Sequence, residues 1–326
     1  MSVSEGPKGG GNGGTAGSPV PIVGGTAGSP VLLDTALAWY FVSVWGSGFL
    51  ASKVALQYAA PFTMLGLRYV LGVLCLVPVL LITRPLWPAS RRELGHVIVA
   101  GLLMHAVHLS GSHYSQYLGL SAGITALVMS LQTLATAIIA SRWMGDRLGP
   151  RQWTGVVMGL AGVTLVVWHK IDVDELPLGS LVALAVGLTA ITAGTLYQRT
   201  FCPKVDLKAG AFIQFVASAA FLAPLAFFVE GARVDWSWQL FAALAFLVIL
   251  ASILATNALN LLMRRGGATR VTSLIYLTPI IAVALEYPMF GVSPGLLSLI
   301  GIAITCAGVA MVTWRSTRVP APAAAE

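Results

Sequence analysis

The chain has 326 residues, a formal net charge of +7, 57% hydrophobic residues and 10% charged residues, with a mean hydropathy of +0.84. A soluble globular domain carries about 25% charged residues, so this composition describes a polytopic membrane protein. The positive charge does not mark a nucleic-acid binder, because the Lys and Arg residues stand in short links between apolar runs and not on one face.

Residues 1–34 are rich in Gly, Ser and Pro, with GGTAGSPV at 13–20 and again at 24–31, and are expected to form a disordered tail. The tail has no cleavable-signal pattern, so the first apolar helix is expected to act as an uncleaved insertion signal. Ten spans of membrane-crossing length follow, at 35–56, 61–83, 94–114, 120–142, 150–169, 177–198, 208–229, 238–263, 268–290 and 294–314. Pro61 and Pro294 suit first-turn positions, where the missing N–H costs nothing. Outer-membrane strands would be shorter and alternate in polarity. Cys75, Cys202 and Cys306 are odd in number and lack metal-ligand spacing, which indicates neither a disulfide framework nor a metal site.

Residues 121–168 align without a gap to residues 267–314 at a constant shift of 146, pairing Ala122 with Ala268, Leu131 with Leu277, Gly145 with Gly291, Gly155 with Gly301 and Trp168 with Trp314. One unit was duplicated. It divides the chain into a first five-helix repeat, 35–169, a second, 177–314, and a C-terminal tail, 315–326. Fifteen of the nineteen Lys and Arg residues fall on one side of the ten spans; Lys170 and Arg233 fall on the other, and Lys53 and Arg68 lie within spans. Basic residues collect on the cytoplasmic side, so both termini are expected to be cytoplasmic. Five helices per repeat then make the second copy run inverted, an arrangement that surrounds a midplane cavity in secondary transporters.

Several stretches carry a family resemblance: Trp45-Gly46, Arg68-Tyr69, GDRLGPRQWTG at 145–155 with AGV after it, Tyr197-Gln198-Arg199, and YLTP at 276–279. Over about residues 35–314 the chain resembles the EamA-type permeases of the drug/metabolite transporter superfamily. That resemblance implies an all-α integral membrane protein of ten helices in two inverted five-helix repeats. It implies a secondary transporter, with efflux favoured, that moves small organic metabolites such as amino acids across the bacterial cytoplasmic (inner) membrane, with no catalysis and no cofactor. The implied partners are a small-molecule metabolite and the lipid bilayer, with protons as an optional coupling ion and a homodimer left open; nucleic acid is not among them. A channel, a receptor or scaffold, and a membrane-embedded enzyme are the alternatives. The pattern departs from the family at Thr133, where a proline is common in helix 4, and at Val292, where an acid normally follows the glycine; Asp146 keeps it after Gly145.

Counting from the span ends puts Trp45, His105, His108, Gln132, Thr189, Ser252, Asn257 and Tyr276 near the midplane. Polar groups at that depth either bond between helices or line a wet cavity. Trp45, His105, His108, Gln132, Asn257 and Tyr276 are taken as candidate substrate contacts. His105 and His108 share one helix face, which fits cavity lining or proton handling; a metal would need a third ligand. Pro279 is the expected hinge of helix 9, leaving helix 4, with Thr133, the straighter of the two. Glu286 is the one carboxylate inside a span, and Lys53 or Arg68 is its expected partner, either as a static pair or as a proton-coupled one.

Overall fold

The computed structural model describes residues 29–143, 148–171, 177–255, 258, 261–262 and 277–313. These form helices α1 (Ser29–Ala55), α2 (Pro61–Thr83), α3 (Arg91–Tyr117), α4 (Ala122–Trp143), α5 (Pro150–Ile171), α6 (Leu178–Phe201), α7 (Leu207–Phe228), α8 (Trp238–Leu254), α9 (Thr278–Phe290) and α10 (Leu296–Thr313). Helices α2, α3, α4, α6 and α7 are long and apolar enough to cross a bilayer, and α8, α9 and α10 are shorter apolar helices. At 1.5 Å per residue, the 23 residues of α2 rise about 34 Å.

Local chemistry sets the helix ends. Pro61 stands in the first turn of α2, Ser90 accepts from the Glu93 N–H at the start of α3, Asp206 accepts from Lys208 and Ala209 at the start of α7, and Ser237 accepts from Leu240 at the start of α8. Gly291 ends α9 in the left-handed region, with φ 69°. The Ser90 cap starts α3 at Arg91, ahead of the expected 94. Helix α1 begins at Ser29 and so takes in residues expected to belong to the tail, because Leu32 and Leu33 extend the apolar run.

Helices α5 and α10 make the most extensive contact. They approach so closely that a Cβ on Gly155 would meet the Gly308 carbonyl at 2.6 Å and one on Gly308 the Gly155 carbonyl at 2.5 Å; Gly162 and Gly301 oppose each other in the same way. Such pairs let two helix backbones touch where lipid supplies no hydrophobic force between helices. The shift of 146 relates Gly155 to Gly301 and Gly162 to Gly308, so the contact is reciprocal. Other contacts pair off likewise: α2 with α7 and α4 with α9; α3 on α6 and α8 on α1; α4 on α6 and α9 on α1.

Both α3 and α8 widen into π-helical segments, at Leu102–Val107 and Phe246–Leu254. Under the 146 shift the first falls within the second. Around these helices Leu65, Tyr69, Phe215, Leu222 and Leu244 build the largest core cluster. Large apolar side chains such as Leu81, Ile82 and Phe228 point outward, as lipid-facing positions do, and exposed Trp87 and Trp143 lie at one end of the bundle with Trp168, Trp236 and Trp238 at the other.

Candidate functional site

The Lys53 end of the bundle holds a buried ion pair. Lys53, in the last turn of α1, places Nζ 2.7 Å from Glu286 Oε1 of α9 and 4.6 Å from the Phe290 ring centroid. Glu286 is 2% exposed and accepts two further bonds, from the Ala122 N–H at 2.8 Å and the Gly123 N–H at 2.9 Å. Those amides open α4, whose first-turn N–H groups have no partner within the helix and whose dipole favours a negative charge. Gly123 is what admits the carboxylate: a Cβ there would overlap Val283 and lie 3.1 Å from Glu286 Oε2. A cavity of about 50 Å³, touched by Ser121, Val283, Glu286 and Ser298, adjoins the pair. Glu286 thus ties α9 to α1 and α4 at once.

At the same end Glu230, between α7 and α8, accepts from the N–H groups of Phe62 and Thr63 at 2.9 and 2.7 Å and from Thr63 Oγ1 at 2.7 Å. It caps α2 as Glu286 caps α4. Position 230 follows a proline-bearing apolar helix, and the N–H groups after Pro61 needed an acceptor, so the ingredients were visible in the sequence; their pairing was not.

Arg68 does not partner Glu286. Its Nη2 donates to Ser252 Oγ at 3.2 Å, and its Nε is buried without a hydrogen-bond partner. Ser252 Oγ in turn donates to the Leu247 carbonyl, five residues back, a reach that the π-helical winding of α8 provides. His105 lies in the π segment of α3, and its Nε2–H donates to Gln214 Oε1 at 3.1 Å, while Gln214 Nε2 donates to Gln198 Oε1 at 3.0 Å. His108 Nδ1–H donates to the Gly187 carbonyl at 3.2 Å across a contact where Gly187 itself brings the backbones together. The Tyr69 ring, next to Arg68 on α2, lies 5.8 Å from the His105 ring. These residues therefore share one neighbourhood, built from α2, α3 and α8 with α6 and α7 behind it.

The other candidates are dispersed. Gln132 Nε2 donates to Thr195 Oγ1 at 3.1 Å and so joins α4 to α6. Trp45 is 44% exposed, with its ring 5.4 Å from Phe41. Asn257 and Tyr276 lie outside the described residues. Pro279 sits in the first turn of α9, and residues 268–276, on which its hinge role depends, also lie outside them. Gln214 escaped the sequence reading because it stands between Ile213 and Phe215 in a run that reads as a uniform apolar span.

The family model of the EamA-like transporter family matches the chain twice, over residues 35–168 and 177–314. Across 272 residues, 83% of this chain and 87% of the relative, it is 26% identical to the uncharacterized inner membrane transporter YedA of Escherichia coli K12. It is 24% identical to the uncharacterized transporter YvbV of Bacillus subtilis, covering 85% of this chain and 90% of the relative, and 23% identical to a probable amino-acid metabolite efflux pump of Escherichia coli K12, covering 77% and 85%. A solved crystal structure shares the fold with a TM-score of 0.61 at 19% identity, covering 86% of this chain and 97% of the other. Two family matches that together take in nearly all of the apolar sequence, on a helical body with membrane-crossing helices, make this chain a membrane transporter of the EamA-like transporter family.

Proposed function

We propose that the protein is a secondary transporter that exports small organic metabolites, amino acids or related compounds, across the bacterial inner membrane by alternating access between two inverted five-helix repeats. The observation that carries this reading is the composition of the Glu286 site: a carboxylate of the second half whose ligands, Lys53 and the first N–H groups of α4, all belong to the first half. A tie between halves at one end of the bundle is what alternating access must break and remake. The reciprocal contact of α5 with α10, the paired contacts of the remaining helices and the matching π segments support the inverted-repeat arrangement. The distribution of basic residues supports cytoplasmic termini and a far-side position for the Lys53 end. The named efflux pump among the relatives supports amino-acid-related cargo and the outward direction.

In this mechanism Lys53 leaves Glu286 as the outer mouth opens, and Glu286 takes up a proton from water reaching it through the adjoining cavity. Proton return toward the cytoplasm then drives substrate the other way. The test is transport in proteoliposomes with Glu286→Gln, which keeps the shape and removes the titration. The variant is expected to exchange substrate across the membrane but not to concentrate it under an imposed pH gradient. Accumulation equal to that of the wild type would remove Glu286 from coupling, and absence of flux for every metabolite tried with the wild type would refute the transporter reading itself.

A further inference from the structure

Among the described residues Arg68 has no counter-charge. Among the described residues Glu286 is the buried carboxylate, and Lys53 and two backbone amides already hold it. The guanidinium spends one donor on Ser252 and leaves Nε unpaired. An uncompensated cation within a helical bundle is expensive, and bundle proteins retain one where a passing ligand supplies the opposite sign.

Its surroundings are short of partners too. The Tyr69 hydroxyl, beside Arg68 in the sequence and with its ring 5.8 Å from that of His105, is buried and unpaired as well. Nearby acceptors are engaged: Gln214 Oε1 by His105, Gln198 Oε1 by Gln214, and the Gly187 carbonyl by His108. What remains open is a pair of donors, the Arg68 Nε–H and the Tyr69 O–H. Buried donors left unpaired cost free energy that an anionic oxygen ligand would recover.

We infer that Arg68, with Tyr69 and Ser252, forms the subsite for the carboxylate of the transported metabolite, so that the substrate class is small amino acids or organic acids with a free carboxylate. The inference rests on the transporter reading above and adds the charge of the cargo. Arg68 supplies a single positive charge, which one carboxylate neutralises; a phosphate monoester would bring close to two negative charges into the same low-dielectric site and leave an excess. The planar fork of the guanidinium also matches a carboxylate in two parallel hydrogen bonds. The π segments of α3 and α8 carry His105, against the Tyr69 ring, and Ser252, bonded to the guanidinium, and π-helical turns recur at such sites.

The experiment is a thermal-shift and binding series on the full-length purified protein, in which each amino acid is compared with its amide and its alcohol, alongside simple 2-oxo acids, inorganic phosphate and chloride. The compounds that stabilise the wild type are expected to carry a free carboxylate, and the amide or alcohol to bind about 10- to 100-fold more weakly. Arg68→Gln, which removes an unpaired buried charge and is therefore expected to fold, should abolish the carboxylate preference, while Arg68→Lys should keep part of it. If Arg68→Gln does not yield folded protein, Ser252→Ala decides, since loss of the residue that positions the guanidinium should weaken carboxylates several-fold and leave neutral compounds unmoved. Equal binding of acid and amide, full binding by Arg68→Gln, or stabilisation by phosphate or chloride as strong as by carboxylates would overturn the subsite. Transport of a neutral or cationic compound with carboxylates ignored would overturn it and leave the transporter reading standing. Carboxylate binding with no flux of any compound would support the subsite and count against transport.

Discussion

Removing Glu286 should expose how much the tie between the halves contributes to stability. In Glu286→Ala the N–H groups of Ala122 and Gly123 lose acceptors at 2.8 and 2.9 Å, and Lys53 loses a partner at 2.7 Å. Each buried N–H left unpaired costs about 1–3 kcal/mol. Lys53 keeps 22% of its side chain exposed and can turn toward water, so its share is the smaller. Together these come to about 3–5 kcal/mol, the range found when one partner of a buried pair is deleted. For a chain of this size that corresponds to about 4–7 °C in the apparent melting temperature. Glu286→Gln keeps one acceptor and should fall about midway. Lys53→Met leaves the carboxylate with both amides and the α4 dipole, and should cost about 2 kcal/mol. In the double variant Lys53→Met/Glu286→Gln neither charge is stranded, so its loss should be smaller than the sum of the single losses by about 1–2 kcal/mol. Unfolding in detergent is often irreversible, so all variants are compared at one scan rate. The reasoning fails if Glu286→Ala melts within 1 °C of the wild type, or if the double variant loses the full sum.

At the α5–α10 contact, Gly162→Val or Gly308→Val must push the helices apart, because a Cβ at either position sits against opposing backbone; folded yield should drop sharply, whereas Gly48→Ala, in open space, should express like the wild type. Glu230→Ala removes the acceptor for three groups at the start of α2 and should lower stability by about 1–2 kcal/mol, read as a lower melting temperature with transport selectivity unchanged. A reporter fused after Glu326 should report cytoplasm and one inserted near Asp174 the opposite side; an external C-terminus would refute the orientation.

The helical architecture was legible because membrane-crossing runs need only length and apolarity, and α2 matches its expected span of 61–83 residue for residue. Lys53 and Glu286 were legible as a pair because charge is so scarce within the spans that the choice of partner narrowed to two cations. Choosing between Lys53 and Arg68 was beyond the sequence, since it depends on which helix faces α9. The π segments were equally hidden: Leu102–Val107 and Phe246–Leu254 are apolar stretches with no proline or glycine pair to announce an irregular turn. Their winding sets where His105 and Ser252 point, so the Arg68 neighbourhood could not be assembled by counting at 1.5 Å per residue.

The alignment at a shift of 146 also shows where the two halves differ. Glu286 and Glu230, both from the second half, cap α4 and α2 of the first half at the Lys53 end. Shifted by 146, their counterparts are Ala140 and Arg84, so the first half has no acid at either position to return the favour at the opposite end. There α7 takes its cap locally from Asp206. Two inter-half carboxylate caps at one end and, among the described residues, none at the equivalent positions of the other give the bundle a built-in bias: the Lys53 end is held shut by charge, while the other is joined by packing and by neutral hydrogen bonds such as those of Gln152 with the Val312 carbonyl and His96 with Tyr197. Under the proposed orientation that bias favours a resting state closed on the far side of the membrane and accessible from the cytoplasm. The proposed export direction calls for this arrangement, because cargo bound at the inferred Arg68 subsite would enter from inside before Lys53 and Glu286 separate.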